Sequence, residues 1–129
     1  MHVRKEDIPV KIDAPGAVAR QLPDFGVAAD GAIGAEYFSL GTGTDLAPLL
    51  AGLEGDMCHS PHWGYLISGD IVVDYLDGTT ETCTGGEVFH WPSGHSVRAD
   101  SDSELILFSP QVEHGAVLDH VLAKMSASV

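Results

Sequence analysis

Trp63-Gly64-Tyr65-Leu66-Ile67-Ser68-Gly69-Asp70-Ile71-Val72-Val73-Asp74-Tyr75 is the densest run of β-forming residues in the chain, and Ser68-Gly69-Asp70 breaks it in the middle. Two strands that meet in a turn are the reading this composition supports. Downstream the pattern repeats. Asp77-Gly78 is a hairpin signal, followed by a strand near Thr79 to Thr84, a Gly85-Gly86 turn, a strand from Val88 to Trp91 and a Pro92-Ser93-Gly94 turn. Ser96 to Ala99 and Glu104 to Phe108 are expected to pair across the polar link Asp100-Ser101-Asp102-Ser103. Short strands with turns at close intervals predict a sandwich or a β-barrel.

Upstream, Ala35 to Leu40 has strand composition and is ended by Gly41 and Gly43. Thr44 to Leu53 carries Pro48 inside and supports only a turn or a single helical turn. Residues 1–32, interrupted by Pro and Gly, read as an extended N-terminal arm with one edge strand, and 33–110 as the barrel. Residues 111–129 read as a C-terminal helix: Ser109 suits an N-cap, Pro110 a first helical position, and Leu118, Val121, Leu122 and Met125 recur at helical spacing. That helix is expected to pack on the barrel or on a second subunit.

At 129 residues the chain fits one domain. Six Lys/Arg against nineteen Asp/Glu give a net charge of −13, which repels nucleic acid and anionic membrane surfaces. No apolar run reaches the roughly 18 residues of a spanning helix. The charged N-terminus, MHVRKEDIPVKID, lacks a signal peptide's apolar core, so a cytoplasmic location with Cys58 and Cys83 as free thiols is expected.

Four of the seven histidines and both cysteines fall between Asp56 and Arg98. Imidazole and thiolate are ligands for divalent transition metals such as zinc, iron or nickel. His62 and His95 are the first candidates, with Cys58 or His59 as the third. A carboxylate could come from Asp56 or from Glu36, although Glu36 is expected to face solvent. His90 reads as a wall residue or as a hydrogen-bond partner of a ligand rather than a ligand itself, and His2, His114 and His120 as solvated. Tyr37, Tyr65 and Trp91 could shape an aromatic pocket for a small ligand. Along the strand from His62, Gly64 and Leu66 share one face while Trp63, Tyr65 and Ile67 share the other. Both faces are largely apolar, so a second subunit is expected to cover one of them in a homodimer. A nucleophile elbow, a phosphate loop and a CxxC pair are absent from the sequence, and no catalytic residue is assigned.

The pattern Gly86-x5-Pro92-x-Gly94-His95 resembles the second motif of the cupin superfamily, G-x5-P-x-G-x2-H-x3-N, with the histidine two residues early and Ala99 where four residues beyond it the motif has Asn. Anchoring the first motif, G-x5-H-x-H-x3-E-x6-G, at Gly69 sets His62 at its Glu, Cys58 at its second His and Asp56 at its first. The string from Cys58 to Tyr65, with Trp91 to His95 and Phe108-Ser109-Pro110, is similar to small single-domain bacterial cupins over about Ala35 to Met125. The resemblance implies an all-β double-stranded β-helix, or jelly roll, with a short C-terminal helix. It also implies a barrel holding a divalent metal and a small organic ligand, as in a dioxygenase or isomerase. A non-catalytic small-molecule or metal-sensing module, or a barrel that has lost its metal, is the alternative.

Overall fold

A computed structural model describes residues 1–29 and 31–127. Among the described residues ten strands form two antiparallel sheets: β1 (Val10–Ala14), β2 (Ala17–Leu22), β3 (Val27–Ala28), β4 (Gly31–Leu40), β5 (His62–Ser68), β6 (Asp70–Tyr75), β7 (Thr80–Thr84), β8 (Val88–Trp91), β9 (His95–Ala99) and β10 (Ser103–Pro110). The larger sheet runs β1-β2-β4-β10-β5-β8, with β3 against the start of β4, and the smaller runs β7-β6-β9. Two 3₁₀ turns (Lys5–Asp7 and Glu54–Asp56), a single turn of helix, α1 (Ala47–Leu50), and the long C-terminal α2 (Gln111–Ala127) complete the elements among the described residues.

Alternation along each strand sends one row of side chains between the sheets. Phe38, Leu40, Leu66, Leu105 and Leu107 from the larger sheet meet Ile71, Val73, Cys83, Val97 and Ala99 from the smaller. Helix α2 seals one side of this core with Val117, Leu118 and Val121. The result is an all-β jelly roll with a C-terminal helix, the fold the motif resemblance implies and one of the architectures the turn spacing allows.

Three local expectations change. The 1–32 segment supplies a hairpin, β1 with β2, where one edge strand was expected. Pro15-Gly16 closes it between the partners Ala14 and Ala17, with Gly16 at φ +79°, a conformation glycine adopts without strain. The strands flanking Asp100–Ser103 do not pair with each other, since β9 joins β6 and β10 lies between β4 and β5. That polar link is a crossing between sheets, as is the Ser68-Gly69-Asp70 break. A Cβ on Gly69 would come within 2.4 Å of the Asp102 carbonyl, so the two crossings pack backbone to backbone. Finally, Ser109 does not cap α2 and Pro110 is not its first residue: both end β10, the Ser109 hydroxyl turns inward to Glu36, and the helix starts at Gln111.

Candidate metal centre

One end of the inner face of the larger sheet is polar, and strand register puts it there. Gln21 pairs across from Glu36, Glu36 across from Leu107, and His62 across from Trp91. Ser109 lies two residues beyond Leu107 on the same face. Glu36, Ser109 and His62 are buried to 0 %, 0 % and 3 % exposure. Their alternation with Phe38, Leu107 and Leu66 explains why polar groups end in the interior: their positions belong to the core rows.

The smaller sheet delivers His95, which shares the inward row of Val97 and Ala99. Cys58 is held beside it by backbone bonds, Cys58 N–H to the His95 carbonyl and Gly94 N–H to the Cys58 carbonyl, each 2.8 Å. Cys58 Sγ then lies 3.6 Å from His62 Nε2. The His62 and His95 rings are 4.9 Å apart, near perpendicular. One ligand atom from each of Cys58, His62 and His95 lies within 4.8 Å of the others.

Hydrogen bonds decide which ring nitrogens face the cluster. His95 Nδ1 donates to the Pro92 carbonyl at 2.8 Å, which leaves the Nε2 lone pair free. Ser109 donates its one proton to Glu36 at 2.6 Å, so it can only accept from His62 Nδ1, also at 2.6 Å. His62 Nε2 therefore also presents a lone pair. Burial holds His62 well below the ordinary histidine range, helped by His114 and His95, and burial takes His95 down to about 4. Both imidazoles are neutral near pH 7, the form that binds metal. Burial pushes the Cys58 thiol up to about 12, so a cation must displace its proton.

The donor set fits a tetrahedral ion. Metal–sulfur and metal–nitrogen bonds of about 2.3 and 2.0–2.1 Å at a tetrahedral angle separate S from N by about 3.6 Å, the spacing of Cys58 and His62. A second group, Glu36 with His62 and His114, has the same closeness. Its carboxylate is already occupied: Oε1 accepts from Ser109, and Oε2 from Gln21 at 2.9 Å and from His114 Nδ1.

The remaining candidates go elsewhere. His59 is half-buried, with its Nε2 on the Glu54 carbonyl. Asp56 is exposed and accepts from Gly52 N–H. Tyr37 faces the other side of its sheet, under Lys5 and bonded to Glu104, and Tyr65 is 44 % exposed on that outer face. Only Trp91 of the three aromatics lines the chamber, its ring 6.2 Å from His62 and stacked on Phe89. Two expectations of solvation are overturned. Glu36 is fully buried because β2 and β10 flank it within the sheet and α2 packs over its inward side, and His114 is 3 % exposed because α2 turns it inward onto Glu36. His114, Val117, Leu118 and Val121 follow i, i+3, i+4, i+7, a stripe that begins one turn before the apolar residues that mark the helix.

Beside the ligand atoms lies a cavity of about 40 Å³ walled by Phe38, Leu50, Leu107, Val117 and Val121. That is room for one or two waters, at about 30 Å³ each.

The chain has the cupin fold. Solved structures similar to it include ectoine synthase from P. lautus (17 % identity, TM-score 0.59, covering 86 % of this chain and 78 % of that one). An RmlC-like cupin from Shewanella frigidimarina aligns at 16 % identity and TM-score 0.55 over 84 % and 88 %. An oxalate decarboxylase aligns at 17 % and 0.56 over 83 % of this chain but 28 % of its own. No family model and no curated protein matches the sequence. No helix among the described residues is long and apolar enough to cross a membrane.

Proposed function

We propose that this chain is a small metal-binding cupin that holds one divalent transition ion on Cys58 Sγ, His62 Nε2 and His95 Nε2. The observation that carries the reading is the convergence of two imidazole lone pairs on a buried thiol, each imidazole fixed through its other nitrogen. One thiolate and two imidazoles favour zinc or iron, with nickel the next choice. Three protein ligands leave a fourth position open, and an ion bound there supplies Lewis acidity toward whatever occupies it. Trp91 and the aliphatic walls exclude bulk water from that position.

The chamber limits the ligand. At about 40 Å³ it admits only a very small molecule unless α2 shifts, which restricts a dioxygenase or isomerase reading to small substrates. The same tightness supports a second reading, a non-catalytic metal or small-molecule sensor in the cytoplasm. The outer face of β10-β5-β8 is the proposed homodimer surface. Trp63 lies opposite Phe108, and Tyr65 opposite Ile106 and Val88, in one patch whose Trp63, Tyr65, Phe108 and Val88 are exposed.

Elemental analysis of untagged protein tests the metal. Near-stoichiometric metal that is lost in both His62→Ala and His95→Ala supports the site, and metal retained in both assigns it to other ligands. Oxygen uptake with a panel of small acids, thiols and phenols separates enzyme from sensor.

A further inference from the structure

Glu36 touches none of the three ligand atoms, yet it is the most elaborately held side chain in the interior. We infer that Glu36 is a positioning residue which, through the Ser109 hydroxyl, fixes His62 as the tautomer whose Nε2 lone pair faces Cys58 and His95. The metal reading gives this device its purpose, but the device itself is a property of the metal-free fold.

The argument is one of counting protons. A carboxylate only accepts, a hydroxyl has one proton to give, and a neutral imidazole has one N–H. Glu36 Oε2 is occupied by donors from Gln21 and His114, and Oε1 takes the proton of Ser109. Ser109 then has only lone pairs to offer His62 Nδ1, so the imidazole proton must sit on Nδ1. All five groups are buried, with Gln21 at 4 % and His114 at 3 % exposure, so no solvent proton can substitute without leaving a buried polar group unpaired. A hydrogen bond to the non-ligating nitrogen both orients a metal-binding imidazole and raises its basicity, and its loss typically costs ten- to a hundredfold in metal affinity. The partners come from four elements, β2, β4, β10 and α2, so the register of the larger sheet and the seating of the C-terminal helix are both read out at one ring nitrogen.

Glu36→Gln makes the inference sharp. Two donors at the Oε2 position select the amide oxygen there, which turns the amide nitrogen toward Ser109. Ser109 must then accept from it and pass its own proton to His62 Nδ1. The tautomer inverts, and Nε2–H points at the ligand cluster. Ser109→Ala removes the link instead and leaves His62 free to populate both tautomers.

The test is a long-range ¹⁵N–¹H spectrum of the imidazoles in metal-free protein at pH 7, with His62 assigned from the His62→Gln variant, alongside Zn²⁺ affinity by chelator competition. The expected result is Nδ1–H in wild type, Nε2–H in Glu36→Gln, and a mixture in Ser109→Ala, with Zn²⁺ binding weakened at least tenfold in both. Wild-type His62 protonated on Nε2 overturns the inference without any variant. So does a Glu36→Gln protein whose His62 tautomer is unchanged. If the tautomers switch as stated while wild type takes up no Zn²⁺, the positioning role of Glu36 stands and the metal reading falls.

Discussion

Cys58 Sγ and His62 Nε2 lie 3.6 Å apart although they belong to different parts of the jelly roll, Cys58 tied to the start of β9 and His62 opening β5. The thiol proton has two acceptors in reach, His62 Nε2 and the Ser60 carbonyl at 3.7 Å, and a divalent ion takes its place. With the thiol raised to about 12 and both histidines neutral near pH 7, metal uptake releases about one proton. Apparent affinity is therefore expected to rise about tenfold per pH unit between pH 6 and 8, and calorimetry in buffers of different ionisation enthalpy counts the proton. A count of zero excludes Cys58 as a thiolate ligand.

Acid should destabilise the metal-free protein in a definite window. His95 stays neutral in the folded chain down to about 4, against an ordinary value of 6.5. Between those values the unfolded chain takes up a proton that the folded chain does not, so stability is fully present above pH 6.5 and is lost as pH falls toward 4. His62 acts in the same direction. Urea midpoints measured across this window should decline less steeply in His95→Gln, by about one proton.

His114→Ala removes one of the donors to a fully buried carboxylate and is expected to cost about 3–5 kcal/mol. His120, which is half-buried and bonds the Ala51 carbonyl from the same helix, is the control: its alanine variant should cost about 0.5–1.5 kcal/mol. Denaturant unfolding of both variants at pH 7 makes the comparison. Equal losses would place no special weight on the Glu36 contact.

Trp63→Glu places a charge in the centre of the exposed apolar patch without entering the interior, since Trp63 points away from the core row of His62 and Leu66. Sedimentation equilibrium should find a dimer for wild type and a monomer of unchanged circular dichroism for the variant. A monomeric wild type, or a variant that remains dimeric, moves the interface elsewhere.

Much of the fold can be read from the chain because its turns carry local chemistry. Asp77-Gly78, with the Asp77 carboxylate accepting from Thr79 N–H, joins β6 to β7 as the hairpin rule requires. The pairing of β9 with β6, and of β10 with β4 and β5, has no local signal, because a polar link reads the same whether it turns within a sheet or crosses between two. In the site, Cys58, His62 and His95 come together as the motif resemblance implies, with Cys58 rather than His59 as the third residue, whereas Glu36, expected at the surface, and His114, expected in solvent, are both interior. A carboxylate in a strand reads as surface unless its partners are known, and here the partners lie 15 to 78 residues away. Tyr37 and Tyr65 miss the chamber for the complementary reason: strand alternation fixes their face, and the face they occupy is the outer one.

Cobalt substitution gives the most direct test that Cys58, His62 and His95 form one metal centre. Co²⁺ added to the metal-free protein should give near-ultraviolet thiolate-to-cobalt charge transfer and the intense visible bands of a four-coordinate ion. Cys58→Ser should abolish the charge transfer, and Cys83→Ser, whose thiol is buried in the smaller sheet, should leave it intact. A six-coordinate spectrum without sulfur absorption, or one that survives in Cys58→Ser, would contradict the account.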